Sequence, residues 1–423
     1  TGPLYVIYKI VSTINLAHQL KKQYPSKNFI PIYWLASEDH DFEEINHFYW
    51  NQSKHEWKTD QKGAVGKFNP ESLKELYQLF PDAVQFFKEA YSQASTLSEA
   101  VIRYMDYLFG DEGLICLDAD HQALKALMVP VMEKDILEQA HELLVQQTTS
   151  DLQKLGYKTQ VNARPINFFY LKDQLRERLE KEDVYKVVQT DMAFDAHQMR
   201  EEIHAFPERF SPNVILRPLY QEIILPNLAY IGGPAEIVYW LQLKAVFDVH
   251  QVPFPILLPR NFATILTAAQ KNKLDRMGLN PADLFLDSSG LNKRVLEKFG
   301  SGEQNIAIQN SALASIFKEI EQKALQIDQT LIQSVHAHLK KSENAFDSIQ
   351  KKLAKAELKN QSEWVIQIAH LKEKLFPGGT WQERRDSFLN YYINNKLFIK
   401  ELLDLFDPLK FEMNFLIQQE DGQ

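Results

Sequence analysis

The chain has 423 residues, of which 45% are hydrophobic and 24% are charged, a composition typical of a folded globular protein. Its formal net charge of -9 argues against general binding to nucleic acids or anionic membranes, because both require a basic surface. The single cysteine, Cys116, excludes an intramolecular disulfide and a site with several cysteine ligands. We interpret Cys116 as a buried structural thiol. A reducing, cytoplasmic location is expected, since no long apolar segment predicts a membrane span.

The first third of the chain alternates helices and strands. Apolar residues recur at helical spacing over residues 5–24, and the short apolar run 28–37 predicts a buried strand. Helices are predicted within 72–109, and 114–118 predicts a second buried strand. Acidic residues follow both strands, at the sheet edge where α/β proteins bind their ligands.

The middle of the chain continues this alternation. A long helical stretch is predicted over 122–150, and residues 210–231 hold three prolines among large apolar side chains, which favours strands and defined turns. A helix is then predicted from Ala235 to about Val249, followed by an apolar strand over 252–258. Strands and helices in this order predict an α/β core with a largely parallel sheet.

Residues 303–376 contain neither glycine nor proline, and their apolar residues recur at helical intervals. This pattern predicts long amphipathic helices or a coiled coil, and we favour a helical hairpin, for which Ser342–Asn344 is one candidate turn. We therefore divide the chain into a core with insertions over 1–302, a helical arm over 303–376, and a helical segment over 377–423 that packs on the core. The apolar stripe of the arm predicts a homodimer.

The densest group of titratable residues is Ser37–His47, directly after the first predicted strand. Crowded carboxylates and imidazoles shift one another's pKa values, so this segment is a candidate active centre that contains a general base. Its candidate catalytic residues are Glu38, Asp39, His40, Asp41 and His47. We expect no metal held by the protein here. The plainer alternative is a solvated acidic helix start.

The same segment supports a rival hypothesis, a metal-dependent hydrolase. If Asp41 caps a helix, Glu43 and His47 lie on one face of that helix. Together with His40 and Glu44, they would have the residue types and spacing of a divalent metal site. A third, non-enzymatic hypothesis is a dimeric scaffold that recruits a partner through the arm.

A second group surrounds Gly232, Gly233 and Pro234, a turn that leads into a helix. Free backbone N–H groups at such a helix start bind phosphate or carboxylate, and Arg217 is a candidate for gripping the same anion. A structural turn with an Arg–Glu pair is an equal alternative on spacing alone. The other candidates for substrate or nucleotide binding are Gly2, Pro3, Tyr5, Asn46, Tyr220, Glu222, Asn227 and Glu236.

A third group, Asp118–His121, follows the second predicted strand. It is a candidate for binding magnesium or a sugar hydroxyl, and a helix N-cap by Asp120 is the alternative we favour. The chain contains neither a Walker loop nor a Gly-x-Gly-x-x-Gly fingerprint. These motifs therefore do not identify a nucleotide site.

Five blocks resemble the family of bacillithiol cysteine-adding enzymes. These blocks are Thr1–Lys9 (TGPLYVIYK), Pro31–His47 (PIYWLASEDHDFEEINH), Ser211–Lys244, Pro259–Leu266 (PRNFATIL) and Phe376–Arg384 (FPGGTWQER). The resemblance covers essentially the whole chain. It implies a Rossmann-like core with connecting insertions and a coiled-coil arm used for dimerisation. In this family a further segment precedes the first block, so we expect the chain to lack its natural N-terminus.

The resemblance also implies an activity, the last step of bacillithiol synthesis. Cysteine would be joined through its carboxyl group to the amine of a glucosamine–malate conjugate, so cysteine, glucosamine–malate and a nucleotide would be the small-molecule partners. Amide formation from a free carboxylate needs activation, for which we expect ATP, accompanied by Mg²⁺. Whether ATP would leave as ADP or AMP stays open, and roles within the motifs are assigned from physical chemistry alone.

Overall fold

The computed structural model describes residues 2–303 and 305–418. The chain divides into two compact units. The first unit runs to Thr264 and resumes over Glu383–Asn414, and the second unit covers Ile265–Gln382 together with the residues after Asn414. Across the described residues, no helix combines the length and apolar character needed to cross a membrane.

The first unit combines helices with short strands. Its α-helices are Leu4–Gln23, Phe42–Ile45, Lys74–Tyr77, Gln85–Gln93, Leu97–Phe109, Gln122–Lys125, Val129–Met132, His141–Lys154, Ala196–Ala205, Arg217–Ile224, Pro234–Leu241, Lys244–Val249, Leu389–Tyr392 and Phe398–Leu405. Gln382–Arg385 is a further helix at the junction of the two units in the sequence. Its 3-10 helices are Val65–Lys67, Pro70–Leu73, Asp82–Val84, Gly110–Glu112, Ala126–Met128 and Pro207–Arg209, and Glu133–Leu137 is a π-helix.

Two parallel strand pairs confirm the predicted α/β, Rossmann-like character. In the first parallel pair, Ile32–Leu35 lies beside Ile115–Asp118, with Leu35 opposite Asp118. In the second parallel pair, Ala229–Gly232 lies beside Ile256–Pro259. Because the strands of each pair run in the same direction, the residues that follow their carboxyl ends meet at one edge.

A five-stranded antiparallel sheet also belongs to the first unit. Its strands, in spatial order, are Ala193–Phe194, Tyr185–Val187, Leu175–Lys181, Phe168–Lys172 and Phe210–Pro212. Strands were predicted within 210–231, where Phe210–Pro212 lies, but the strand Leu175–Lys181 and the sheet as a whole were not. The reason is that its longest strand, LRERLEK, is mostly charged, with leucine only at positions 175 and 179, so it has neither an apolar run nor a period-2 pattern. We call it the antiparallel sheet below.

The first helix and the core behave as the sequence indicates. Leu4–Gln23 buries Ile7, Val11 and Ile14 along one face, at the spacing expected of a helix that packs on a core. The largest core cluster contains Trp240, which stacks on the Tyr230 ring at a centroid distance of 4.2 Å. Packing of this kind provides most of the stability of short helices and strands.

Two predicted helices are divided in the structure. The predicted stretch 122–150 is interrupted at Gln139, whose left-handed φ of 54° cannot continue a helix. The predicted helix after Ala235 is two helices, Pro234–Leu241 and Lys244–Val249. Arg217–Ile224, predicted as strand and loop, is a helix instead. Pro218 is compatible with it because proline fits the first helical turn.

The second unit is mainly helical. Its α-helices are Ala268–Arg276, Ser288–Phe299, Ala307–Ile327, Ile332–Asn360 and Ser362–Leu375, and its 3-10 helices are Pro281–Phe285, Gln329–Leu331 and Pro377–Gly379. Phe262–Thr267 pairs with Met413–Gln418 in a two-stranded sheet. Leu274, Val295 and Leu371 belong to one buried cluster. The two units divide after residue 264, earlier in the chain than the predicted division at residue 302, and helices before residue 302 share a core with the end of the arm.

The predicted arm is a helical hairpin, but its turn lies elsewhere. Ala307–Ile327 packs against Ile332–Asn360, and the candidate turn at Ser342–Asn344 falls inside the second of these helices. The chain turns at Asp328, whose extended backbone breaks the helix and whose side chain accepts a hydrogen bond of 2.8 Å from the Thr330 N–H. An aspartate cap is a local signal that can end one helix and start another.

Candidate active site

The carboxyl edge of the first parallel pair brings two polar segments together. Ser37, just after the first strand, donates a hydrogen bond to the carboxylate of Asp118, the last residue of the second strand. The same Asp118 oxygen accepts a hydrogen bond of 2.9 Å from the backbone N–H of Asp120. The predicted cluster after Ser37 therefore lies beside the group that begins at Asp118.

A buried charge cluster occupies this edge. Lys125 Nζ lies 2.8 Å from Glu38 Oε2 and 2.7 Å from Asp120 Oδ1, and its side chain is 1% exposed. Lys67, which is 60% exposed, lies 2.8 Å from the other Asp120 oxygen. Buried charges are stable only when they are paired in this way. Asp120 is therefore an ion-pair partner and not the predicted helix cap, a position taken by His121.

The two carboxylates of the buried charge cluster titrate differently. Burial raises the pKa of Glu38, although Lys125 acts in the opposite direction. Burial would also raise the pKa of Asp120, but Lys125 and Lys67 outweigh it and lower that pKa. Neighbouring carboxyl groups whose pKa values are pushed apart are typical of sites that move protons.

Asp39 and His40 meet an arginine of the antiparallel sheet. An Arg176 guanidinium nitrogen contacts His40 Nδ1 and lies 3.6 Å from Asp39 Oδ1. Asp39 also accepts a 2.7 Å hydrogen bond from the His40 backbone N–H. Burial would raise the pKa of Asp39, yet Arg176 and His40 together lower it. Asp39 is thus held ionised while its side chain remains 54% exposed.

His40 Nδ1 lies between two charged groups. It contacts the Arg176 guanidinium, which only donates hydrogen bonds, and it is 3.3 Å from Asp39 Oδ1, which only accepts them. These two contacts require opposite tautomers of the ring. Among the three predicted bases, Asp39 has an ionised and exposed carboxylate, whereas Glu38 is 6% exposed.

The segment after Asp41 does not form the predicted helical face. The helix Phe42–Ile45 is one turn long and Asp41 makes no side-chain cap. His47 begins the strand His47–Trp50, which pairs with Ser53–Glu56 through Asn51 and Gln52. Both turn residues have positive φ values, 48° and 64°, as a tight hairpin turn requires. Glu43 and His47 are consequently not one turn apart on a helix.

The rival metal site has no counterpart in the described parts of the chain. His47 Nδ1 lies 2.9 Å from its neighbour Asn46, while His40 contacts Arg176. Glu44 has a raised pKa, owing to burial and to the nearby charges of Asp41 and Asp39. Within 2–303 and 305–418, no three His, Cys, Asp or Glu side chains are grouped so that they could hold a metal ion.

The predicted anion-binding site at Gly232 and Gly233 is occupied by a carboxylate of the protein itself. The Gly233 N–H donates to Glu236 Oε2 at 2.7 Å, and Glu236 Oε1 accepts from Lys9 at 2.7 Å and from the Tyr230 hydroxyl at 2.6 Å. Burial would raise the pKa of Glu236, but Lys9 and these hydrogen bonds lower it to about 2. A phosphate would have to displace Glu236 to reach this backbone N–H.

The other candidates near the second parallel pair are also bonded within the protein. Arg217 donates to Gln221 and to the Tyr239 hydroxyl, both at 3.2 Å. Tyr220 donates to the Ala119 carbonyl oxygen at 2.7 Å. Glu222 binds the backbone and side-chain N–H groups of Asn227. Their nucleotide-binding role stays a prediction, and the structure places Glu222 beside Asn227 and not in the alternative Arg–Glu pair.

The backbone at the start of the first helix is partly hydrogen-bonded within the protein. Pro3 is the residue before the helix and pairs with Ser387, Gly2 has a φ of 68°, and the Leu4 N–H donates to the Asp386 carbonyl oxygen. Tyr5 is 37% exposed. Burial raises its pKa, and the charges of Glu236 and Glu44 raise it further. Thr1, the first residue of the block Thr1–Lys9, lies outside the described residues.

Four cations of the site were not predicted from the sequence. Lys125, Lys67, Arg176 and Lys9 each contact a predicted acidic residue or its neighbour. Lys125 alone carried a usable signal, since it is a single charge within the apolar stretch that follows Asp118–His121. Arg176 carried none, because it lies far from Asp39 in the sequence and reaches it only through the unpredicted sheet.

Comparisons with known proteins define the class of this chain. Residues 1–261 match the model described as "Bacillithiol biosynthesis BshC, N-terminal Rossmann-like domain", and residues 263–418 match the model of the C-terminal coiled-coil domain. The chain is therefore a Rossmann-like protein with a coiled-coil domain. It belongs to the BshC family of bacillithiol biosynthesis.

Curated relatives agree along almost the whole chain. A protein of Flavobacterium psychrophilum named "Putative cysteine ligase BshC" is 41% identical over 97% of this chain and 79% of its own length. Proteins with the same name from Cytophaga hutchinsonii and Flavobacterium johnsoniae are each 38% identical, over 98% and 99% of this chain and 79% and 80% of their own lengths. The resemblance recognised in the five sequence blocks is thereby confirmed.

Proposed function

We propose that this chain is a cysteine ligase of bacillithiol biosynthesis, which joins the carboxyl group of cysteine to the amine of glucosamine–malate. Membership of the BshC family and the names of its relatives support a ligase. The observation that carries the proposal is the arrangement at the carboxyl edge of the first parallel pair. There the exposed carboxylate of Asp39 lies next to His40, and the buried Glu38–Lys125 pair holds the segment in place.

Asp39 is the proposed acceptor of the proton that the sugar ammonium must lose. An amine attacks a carboxyl carbon only in its neutral form, so a base is required. Asp39 is ionised, half-exposed and fixed by Arg176, so it can first bind the ammonium group and then take its proton. His40, which lies beside Asp39, is suited to donate a hydrogen bond to the oxygen that gains negative charge.

ATP is the proposed source of activation for the cysteine carboxylate, with Mg²⁺ bound to its phosphates. The helix start at Gly233 fits phosphate poorly while Glu236 occupies it. Lys67 fits better, because its exposed ammonium group sits at the carboxyl edge and is held by Asp120. We therefore assign Lys67, rather than Gly232 and Gly233, as the first phosphate contact to be tested.

A homodimer through the arm is also proposed. The hairpin helices leave large apolar side chains exposed, including Ile316 at 54%, Ile320 at 43% and Ile349 at 49%. Exposed apolar stripes of this size usually pack against another chain. Ile316→Glu should shift the protein from dimer to monomer in light scattering. Gln322→Glu, which adds the same charge to an exposed position of the same helix, should leave the mass unchanged.

The activity is tested most directly with Asp39→Asn. This variant keeps the size of the side chain but removes the base, so bacillithiol formation should fall by about a hundredfold or more. The measurement is the thiol content of a strain whose own ligase gene has been deleted and replaced by the variant. Asp60→Asn, on an exposed residue of the same unit, is the matched control. Normal thiol content with Asp39→Asn would show that Asp39 is not the base. Normal thiol content in the deletion strain without a replacement gene would disprove the proposed ligase activity.

A further inference from the structure

A cavity lies on the antiparallel sheet, beside the candidate active site. Its volume is about 470 Å³, which is within the range of about 300–1,000 Å³ typical of small-molecule sites. Phe169 is part of its wall. The Phe169 ring is 5.6 Å from the His40 ring between centroids, and the Arg176 guanidinium lies 4.0 Å from its centre. One aromatic side chain therefore connects the cavity with the residues that hold Asp39.

Two arginines line this cavity, Arg164 and Arg178. Within the described chain, neither guanidinium has a hydrogen bond or an ion pair to another residue. By contrast, Arg200 and Arg209, on and just after the helix that follows the sheet, bind Glu133 and Glu202. A guanidinium without a carboxylate partner, at the wall of a cavity, is available for an anionic ligand.

The wall that carries Arg164 is rigid. Asn167 is 1% exposed, and its side-chain amide accepts from the Arg164 backbone N–H at 3.0 Å and donates to the Arg164 carbonyl oxygen at 2.7 Å. Buried Asp135 accepts a further hydrogen bond of 3.0 Å from the same amide. Arg178 is equally well placed, since it lies directly opposite Phe169 in the sheet. Binding to such preformed walls costs little conformational entropy.

The charges around the cavity favour an anion overall. Glu180 and Glu182 also line it, but Glu182 forms an ion pair with Lys186, and Lys181 adds a third cation to the lining. The remaining excess of positive charge comes from the two arginines. Two separate guanidinium groups suit a ligand with two carboxylates better than a ligand with one.

We propose that this cavity binds the dicarboxylate part of a substrate, with Arg164 and Arg178 each contacting one carboxylate. The proposal rests on the proposed function, because glucosamine–malate carries a malate dicarboxylate at one end and the reactive amine at the other. With malate in the cavity, the sugar extends past Phe169 and its amine reaches Asp39 and His40. The cavity thus selects the acceptor substrate, while cysteine binds elsewhere.

The test measures binding of free L-malate to the full chain by isothermal titration calorimetry. Arg178→Ala and Arg164→Ala should each weaken binding by about ten- to hundredfold, since each removes a charge-assisted contact. Lys172→Ala is the matched control, because Lys172 is an exposed cation of the neighbouring strand whose side chain lies on the opposite face from Phe169. Inorganic phosphate and free cysteine are the comparison ligands, and both should bind these variants as they bind the unchanged protein.

Activity measurements separate this inference from the proposed function. In a working ligase, Arg178→Ala should raise the KM for glucosamine–malate and leave the KM for cysteine unchanged. Absence of malate binding, or equal malate affinity in both arginine variants and the unchanged protein, overturns the inference even if ligase activity is present. Arginine-dependent malate binding by a protein without ligase activity would support the cavity and refute the proposed function.

Discussion

The two parallel pairs of the first unit use charged residues in opposite ways. At the first pair, Glu38 and Asp120 are buried against Lys125, and this leaves Asp39 and Lys67 exposed at the edge. At the second pair, Glu236 closes on its own helix start and is neutralised by Lys9. A buried ion cluster that supports exposed neighbours is a feature of a reactive site, whereas a carboxylate that caps its own helix stabilises structure.

The difference between the two parallel pairs shows that a motif predicts a free backbone N–H group only when no nearby side chain already accepts its hydrogen bond. The Gly232-Gly233-Pro234 turn has the expected conformation, and Gly233 is the residue before a helix. Glu236, three residues later, accepts a hydrogen bond from the Gly233 N–H, so a ligand would have to displace it there, and the binding role of Gly232 and Gly233 stays a prediction. A glutamate at the third position of a helix often accepts a hydrogen bond from the backbone N–H of the residue before the helix. Glu236 is such a glutamate, and this signal was present in the sequence.

The largest expected difference between the two edges concerns their lysines. Lys125→Met leaves Glu38 and Asp120 buried without their shared cation, which should cost about 3–5 kcal/mol of unfolding free energy. Lys9→Met removes a partner whose side chain is 30% exposed, so solvent limits the loss to about 1 kcal/mol. Urea unfolding of the two variants measures both values.

A rescue experiment distinguishes charge from packing in this pair of variants. Adding Glu38→Gln and Asp120→Asn to Lys125→Met removes the unpaired charges and should restore part of the lost stability. If the triple variant is no more stable than Lys125→Met alone, the cost comes from lost packing around the lysine. Equal losses in Lys125→Met and Lys9→Met would mean that the two edges do not differ as described.

Much of this arrangement could be predicted from the sequence, and the missing parts share one cause. The strand that ends before Ser37, the helix Leu4–Gln23 and the hairpin arm follow from apolar periodicity, which is a local property. The partners Lys125 and Arg176 are distant in sequence from Glu38 and Asp39, and no local rule connects them. The antiparallel sheet brings Arg176 into place, so missing that sheet meant missing the cation.

The wrong predictions came from local alternatives with similar patterns. The sequence pattern is compatible with a helix through His47. The turn at Asn51 and Gln52, which both have positive φ values, makes the segment a hairpin instead. Ser342–Asn344 was one candidate turn for the arm, while the chain turns at Asp328, whose side chain caps the next helical turn. In both places apolar periodicity alone fits two alternative structures equally well, and a turn or a cap determines which of them forms.

A second, smaller difference between the edges concerns their glycines. A Cβ atom added at Gly66 would lie 2.4 Å from the Ser37 and Ser98 side chains and 2.6 Å from the Ser37 carbonyl oxygen, so the backbone around Ser37 would have to move. Gly66→Ala should therefore cost about 1–3 kcal/mol, as other overpacked sites do. At Gly233 the same atom would be 3.5 Å from Glu236, an ordinary contact, and Gly233→Ala should cost less than about 1 kcal/mol.

The glycine variants also report on the site. Movement of Ser37 in Gly66→Ala would shift the segment that carries Glu38 and Asp39, so ligase activity should fall together with stability. Gly233→Ala should change neither by much. Thermal unfolding and bacillithiol formation, measured on the same preparations, provide the comparison. A Gly66→Ala protein with normal stability would show that the loop of Gly66 can move away from Ser37 without cost.

The smallest expected effect is a difference in the sign of the pH dependence. The pKa of Glu236 falls from its ordinary value of 4.5 to about 2 on folding, so the unfolded chain binds more protons between these values. Stability from Glu236 is therefore fully present above pH 4.5 and is lost as the pH falls toward about 2. Glu236→Gln should be less stable than the unchanged protein at neutral pH, and this difference should shrink on acidification.

Glu38 should behave in the opposite way. Its pKa is raised above 4.5 by burial, so between 4.5 and the raised value the folded chain binds more protons, and Glu38 makes folding less favourable as the pH rises through that window. Relative to Glu38→Gln, the unchanged protein should gain stability as the pH is lowered toward 4.5. Urea unfolding at a series of pH values measures both differences. Slopes of the same sign would contradict the opposite roles assigned to the two carboxylates, whereas opposite slopes would show that burial dominates at Glu38 and ion pairing at Glu236.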